Sequence, residues 1–221
     1  MFLTGHNPVM ETTRVPRLRG VFHAYAFLAS LAAGAVLVVL AHGYLERVAV
    51  WVYGMALAAM FGASALYHRF PWRSTGARLW ARRVDHAMIF VFIAGTYTPF
   101  AVLAFQGTER VAVLVTVWGA ALVGTGLELV WIEAPRWVSA AAYLAVGWVG
   151  LITIPQLFPA LGVAPAVLAL VGGALYSIGA VLYAAAWPNP FPSVLGFHEV
   201  FHLLVVAAAV TQYVAVSLVV L

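Results

Sequence analysis

Two histidines near the end of the chain have the spacing of a pair of metal ligands. His198 and His202 lie four residues apart in the stretch GFHEVFHLLVV, Gly196 to Val206. On a helix, positions i and i+4 share one face with Cβ atoms about 5–6 Å apart. Two imidazoles so placed can reach a single metal ion about 2.0–2.1 Å from each nitrogen. The same spacing also fits two helix-end histidines that cap carbonyls or face water, so the question is whether a third ligand lies at the same depth.

The composition indicates a membrane protein. Of the 221 residues, 65% are hydrophobic and 8% are charged, and the mean hydropathy is +1.01. Repeated apolar runs of about 20 residues are typical of transmembrane helices. The chain has no Cys, which excludes disulfides and thiolate metal sites. Its net charge of +4 is spread too thinly for a nucleic-acid-binding surface. We therefore expect a multi-pass protein of the inner (plasma) membrane, with membrane lipids as partners and no nucleic acid.

The apolar runs predict an all-α fold with seven transmembrane helices and short connections. Residues 1–19 are expected to form a cytoplasmic N-terminal segment, and residues 20–221 a single seven-helix membrane domain. The predicted spans are Gly20–His42, Arg47–His68, Arg83–Phe105, Val111–Trp131, Val138–Leu157, Ala164–Trp187 and Leu195–Leu221.

The arginines predict how these helices are oriented, because loops rich in Lys and Arg stay in the cytoplasm. With the N-terminus cytoplasmic, the outer segments hold only Arg47 and Arg110. The inner segments then hold the other nine, namely Arg14, Arg17, Arg19, Arg69, Arg73, Arg78, Arg82, Arg83 and Arg136. This bias predicts an N-terminus inside and a C-terminus outside.

This topology places polar groups from three distant segments in the same leaflet. Ser64 and His68 lie near the inner end of the second helix, Asp85 at the inner start of the third, and His198 and His202 in the first turns of the seventh. His68 is thus a candidate third ligand, and all five residues are candidates for one site.

Asp85 and Ser64 each allow a chemical and a structural interpretation. A carboxylate near hydrocarbon is costly and usually pairs or marks function. Asp85 could accept the proton of a water activated by zinc, or could form an ion pair with Arg82 or Arg83. The Ser64 hydroxyl could bind a water or a substrate oxygen, or could bond the carbonyl one turn before it.

Other polar residues are weaker candidates. His86 points about 100° away from Asp85 around the helix, and His23 is expected in the headgroup region. Glu199 points away from the histidine face and is expected as a helix-start carboxylate, while Glu128 is expected to snorkel or to pair. Three further residues could line a cavity: Thr96, Tyr97 and Gln212.

Taken together, these segments resemble the bacterial hemolysin III family, within the wider progestin and adipoQ receptor group. The resemblance rests on SALYH (Ser64–His68), RRVDH ending at His86, IAGTYTPF (Ile93–Phe100) and GFHEVFH (Gly196–His202), and it covers the chain from about residue 20 onward. It implies a seven-helix fold with a cytoplasm-side Zn²⁺ site formed by His68, His198 and His202, with Asp85 holding a zinc-bound water and Ser64 nearby. The group is similar to alkaline ceramidases, which implies hydrolysis of a lipid amide or ester.

Three functions remain open at this stage. The first is a zinc-dependent lipid amidohydrolase, in which Asp85 and Ser64 act at a zinc ion with an open position. The second is a receptor-like or membrane-homeostasis protein, in which zinc only fastens the second and seventh helices together. The third, a channel or cytolysin, ranks last because the outer halves of the helices carry few ionisable groups. The substrate and the oligomeric state are not indicated by the sequence.

Overall fold

The computed structural model describes residues 15–149 and 153–220, apart from the side chain of Ile154. These residues form eight helices: α1 (Val21–Leu40), α2 (Tyr44–Arg69), α3 (Thr75–Ala104), α4 (Gly107–Val130), α5 (Arg136–Gly147), α6 (Ile154–Leu161), α7 (Val163–Ala185) and α8 (Phe197–Val220). The only β-type pairing among them is the single bridge between Phe191 and Leu195. The all-α prediction is confirmed, whereas most of the predicted N-terminal segment lies outside the described residues.

Six of the described helices are long and apolar enough to cross a membrane, namely α1, α2, α3, α4, α7 and α8. The predicted fifth span, Val138–Leu157, is instead divided between α5 and α6. With a rise of about 1.5 Å per residue, α5 and α6 extend about 18 and 12 Å, and each alone is shorter than a hydrocarbon core of about 30 Å. Pro155 occupies the first turn of α6, where its missing N–H costs no helical hydrogen bond.

The break after α5 is held by side chains of two neighbouring helices. The last carbonyls of a helix have no partner within it, and inside a membrane an unpaired carbonyl is costly. Tyr97 of α3 donates its hydroxyl hydrogen to the carbonyl of Gly147. Beside it, Trp148 donates its ring N–H to Ser177 Oγ of α7 at 2.9 Å. The interruption is therefore a partnered part of the bundle.

Helix α3 is longer than hydropathy predicts. It begins at Thr75, not at the predicted Arg83, because Ser74 caps it by accepting the N–H of Ala77 at 3.3 Å. Hydropathy detects the part of a helix that lies in lipid, and the polar first turns of α3 fall outside that part. The helix continues through Pro99 to Ala104.

Neighbouring helices in the chain pack side by side, and α8 closes the bundle against α1, α2 and α3. The main apolar core lies among these helices and includes Tyr53, Phe61, Phe92 and Val216. Six buried polar side chains from five helices meet at one end of the bundle, which we call the histidine end: His23, Ser64, Asp85, Glu128, Glu199 and His202. The fold thus gathers polar groups from α1, α2, α3, α4 and α8.

A small residue sets the distance between α3 and α4. A Cβ atom on Gly124 would lie 2.3 Å from the ring of Phe90, whose side chain is fully buried. Helices in membranes approach closely through such small residues.

Replacing Gly124 by Ala should therefore destabilise the protein by about 1–3 kcal/mol, because the buried Phe90 ring would have to shift to admit the added methyl group. The matched control is Gly126→Ala on the same helix, where an added Cβ meets no atom. Thermal unfolding in detergent should show a lower midpoint for the first variant only. Equal midpoints for the two variants would contradict the close contact.

Candidate metal centre

The first turn of α8 is fixed by polar contacts that orient its two histidines. Glu199 is fully buried and accepts the N–H of Gly196 at 2.8 Å, as a third-position Glu does in a capping box. The same carboxylate pairs with Arg19. Asn189 Oδ1 accepts the N–H of Phe197 at 3.0 Å. Glu199 is therefore the expected helix-start carboxylate.

The three predicted histidines lie together. His68, from the last turns of α2, and His198 and His202 of α8 each offer a ring nitrogen, and these atoms lie within 4.8 Å of one another. The Nε2 atoms of His68 and His198 are 3.2 Å apart. Two nitrogens bound about 2.05 Å from a tetrahedral ion are separated by about 3.3 Å. This pair thus has the spacing that such an ion requires.

The donor set also fits a metal ion chemically. Nδ1 of His202 is buried and has no hydrogen-bond partner among the described residues, although buried polar atoms normally have one. Three imidazoles with no thiolate suit zinc and related divalent ions, and three protein ligands leave a fourth position for water or substrate. The three histidines could hold one metal ion.

Asp85 lies at the edge of this cluster. Its Oδ2 is 3.5 Å from Nε2 of His68, and its side chain is buried. Among the described residues, no arginine lies within ion-pair distance of Asp85. Arg83, one of the two partners considered from sequence, has its guanidinium 4.8 Å from the Trp80 ring centre instead. Asp85 therefore forms no direct ion pair with either arginine among the described residues.

Ser64 has a partner that the sequence did not indicate. Its hydroxyl is 2.8 Å from Nδ1 of His23, so it does not simply bond the preceding turn of its own helix. His23 was expected in the headgroup region; the structure shows that it packs against other side chains, with only 3% of the residue exposed. Its ring stacks on that of His202 with centroids 3.7 Å apart. The sequence carried one signal for this contact: His23 lies at the start of the first helix, at the same predicted depth as the other three histidines.

His86 and Glu128 form a separate pair beside the cluster. Nδ1 of His86 is 3.4 Å from one Glu128 oxygen, and Tyr143 donates to the other oxygen at 3.1 Å. The expectation that Glu128 pairs is confirmed, and it is almost fully buried. This network joins α3, α4 and α5 at the histidine end.

An apolar cavity of about 170 Å³ opens onto the histidine cluster. Its polar wall includes Ser64, Asp85, His198 and His202, and its far end is lined by Phe105 and other apolar side chains. The wall also includes Thr96, Tyr97 and Gln212, as the sequence suggested. Along α3, the wall from Asp85 to Phe105 extends about 30 Å at 1.5 Å per residue. The cavity is narrow, long and mostly apolar.

Comparison with known proteins identifies the family of this chain. It is 29% identical over 211 residues to the hemolysin-3 homolog of Bacillus subtilis (strain 168), covering 94% of this chain and 95% of the relative. It is 26% identical over 197 residues to the human monocyte to macrophage differentiation factor, covering 88% and 79%. It is also 33% identical over 170 residues to the heptahelical transmembrane protein ADIPOR2 of Oryza sativa subsp. japonica, covering 70% and 74%.

These likenesses confirm the resemblance to the hemolysin III family that the sequence motifs indicated. They also support a multi-pass protein of the plasma membrane, as do the six long apolar helices. The family model described as Haemolysin-III related matches residues 12–213. Because this match covers nearly the whole chain, the protein belongs to the haemolysin-III related family.

Proposed function

We propose that this protein is a zinc-dependent hydrolase of lipid amides or esters, similar in its chemistry to a ceramidase. The observation that carries the proposal is the apolar cavity that opens onto the histidine cluster. A zinc ion that only fastened α2 to α8 would need no such space beside it. Ligand sites in proteins are typically apolar clefts with a few convergent polar groups, and this cavity has that form.

The polar groups at the end of the cavity match the roles that hydrolysis requires. His68, His198 and His202 would hold the zinc ion, which as a Lewis acid polarises a carbonyl and acidifies water. Asp85 lies beside His68 and would accept a proton from the attacking water. The Ser64 hydroxyl, held by His23, would donate a hydrogen bond to a substrate oxygen. The apolar walls would bind an acyl chain and exclude bulk water.

The same site requires a particular path of the chain, and this supports seven crossings. The bias of the arginines supports a histidine end, and with it an N-terminus, in the cytoplasm. His68 ends α2 and His198 begins α8, and the two residues meet at the histidine end. Glu128, near the end of α4, lies at that end as well. Leu157 of α6 lines the cavity together with Phe105, at the other end. The α5–α6 pair therefore returns the chain across the bundle and acts as one divided span.

Reporter fusions test this path and its orientation. A reporter at Thr75, where α3 begins, should be cytoplasmic, and reporters at Gly107 and Gly162 should be external. A cytoplasmic Gly162 together with an external Gly107 would show that α5 and α6 do not cross. Reversal of all three locations would invert the predicted orientation.

Removal of one ligand should remove the metal. The parent should contain one zinc ion per chain by elemental analysis, and His198→Ala should lose most of it. His42→Ala is the control, since His42 is exposed in the turn before α2. Added zinc should raise the unfolding temperature of the parent. At a free zinc concentration of 100 times Kd, binding should add about 2.7 kcal/mol to the free energy of unfolding. Full zinc occupancy in His198→Ala would remove that residue from the ligand set.

Replacing Asp85 by Asn separates catalysis from a structural role. The variant should keep its fold and its zinc, because Asn is nearly isosteric with Asp. It should hydrolyse a ceramide-like amide about 10²–10⁴-fold more slowly, since Asn cannot accept the proton. Glu109→Gln, at an exposed carboxylate in the first turn of α4, should leave the rate unchanged.

The parent itself supplies the decisive comparison in this experiment. If the parent retains zinc but hydrolyses no lipid amide or ester, the hydrolase proposal fails. The zinc would then fasten α2 to α8, as in a receptor-like or membrane-homeostasis protein.

A further inference from the structure

A second cavity lies on the other side of the histidine cluster, and its chemistry is different. It has a volume of about 290 Å³, and its wall includes Arg19, Arg78 and Arg82. His68 and His198, the pair spaced for a metal ion, also line it. We call it the basic cavity. His198 also belongs to the wall of the apolar cavity, so the two spaces meet at the candidate metal centre.

One face of α3 lines both cavities. Arg78, Arg82, Asp85 and Ile89 are separated by four, three and four residues, and this spacing keeps them in one stripe along a helix. The two arginines line the basic cavity, while Asp85 and Ile89 line the apolar one. The stripe therefore passes from two guanidinium groups, past the carboxylate beside the metal centre, to hydrocarbon.

The positive charge of the basic cavity is only partly paired within the part of the chain that the structure describes. Arg19 pairs with the buried carboxylate of Glu199. The guanidinium groups of Arg78 and Arg82 make no hydrogen bond or ion pair with the described residues. Their planar groups carry donors arranged to bind a phosphate or carboxylate through two oxygens. Two such groups beside one cavity supply the donors that an oxyanion site requires.

Membrane orientation alone does not account for this arrangement. A positive charge that sets topology has only to lie near the inner end of a helix. Arg73 meets that requirement in the same segment, yet it lies outside the wall of the cavity. Arg78 and Arg82 instead face a space that the metal centre borders.

We propose that the basic cavity is an oxyanion-binding site that takes a phosphate group. Its junction with the apolar cavity favours a phosphate that is the headgroup of a lipid, with the chain in the apolar cavity and the metal centre between them. The identification of that lipid as a substrate rests on the proposed hydrolase function. The binding of the anion does not rest on that function, because it depends on the arginines alone.

Binding to the full-length protein in detergent, measured by native mass spectrometry, tests the proposal with three probes. They are a single-chain lipid with a phosphate headgroup, a neutral single-chain lipid with the same chain, and inorganic phosphate. The parent should bind the phosphate lipid at least about tenfold more tightly than the neutral one. Each of Arg78→Gln and Arg82→Gln should weaken phosphate-lipid binding by about tenfold, the loss expected for one charge-assisted contact. Neutral-lipid binding should not change.

Arg73→Gln is the matched control, and it should bind all three probes as the parent does. Zinc content and the unfolding midpoint of each variant show that the fold is kept, and because the two arginines are replaced singly, either variant remains informative if the other fails to fold. Competition by inorganic phosphate near the affinity of the lipid would identify a free anion as the ligand. Weak competition would identify the headgroup.

Two results would overturn the proposal. One is equal affinity of the parent for the charged and neutral lipids, together with no binding of inorganic phosphate. The other is unchanged phosphate binding in both arginine variants. The outcome is separable from the hydrolase test. Arginine-dependent phosphate binding in a parent that hydrolyses nothing would support the oxyanion site and reject the hydrolase proposal. Hydrolysis of neutral lipids with no phosphate binding would support the hydrolase proposal and reject the oxyanion site.

Discussion

The site depends on the contact of the first turns of α8 with the start of α1 and the end of α2. Here His68 meets His198, and His23 stacks on His202. Polar and ionisable side chains are costly within a bilayer unless they face the interior of the bundle or one another. The buried pair of Glu199 with Arg19 and the cap at Gly196 fix the angle at which α8 enters. Removal of this contact would separate the histidines and leave buried polar groups without partners.

Helix α3 connects the basic cavity with the apolar cavity, because its side chains line both. Its capped start extends the helix beyond the lipid, so that Arg78 and Arg82 lie on the same rigid element as Asp85. Side chains on a single helix keep a constant spacing, and the stripe therefore relates charge, carboxylate and hydrocarbon in a fixed order. A ligand with a charged head, a reactive bond and an apolar tail would meet matching groups in the same order.

The break between α5 and α6 is also connected with the apolar cavity. Irregular backbone at membrane depth is tolerated only where it is buried in protein or lines a cavity. The carbonyl at the end of α5 meets this condition through Tyr97, which also lines the apolar cavity. The interruption of this span and the cavity wall are thus connected by a single side chain.

The number and position of the apolar runs, the all-α fold and the depth of the polar residues follow from the sequence by itself. Hydropathy and arginine placement are properties that each segment carries independently of its neighbours. They suffice to bring His68, Asp85, His198 and His202 to one end of the bundle. The i, i+4 spacing then determines that His198 and His202 share a face of α8.

Only the tertiary structure decided which of several groups at that depth are in contact. Sequence places His23 and His86 at the same level as the cluster, but the rotation and tilt of each helix come from packing between segments distant in the chain. That packing stacks His23 on His202, turns His86 toward Glu128 and directs Arg78 into a cavity. It also allowed the interruption between α5 and α6, because the partner for the carbonyl at the end of α5 is a tyrosine fifty residues earlier in the chain. Periodicity along one helix carries no information about such contacts, since they depend on which neighbour each face meets.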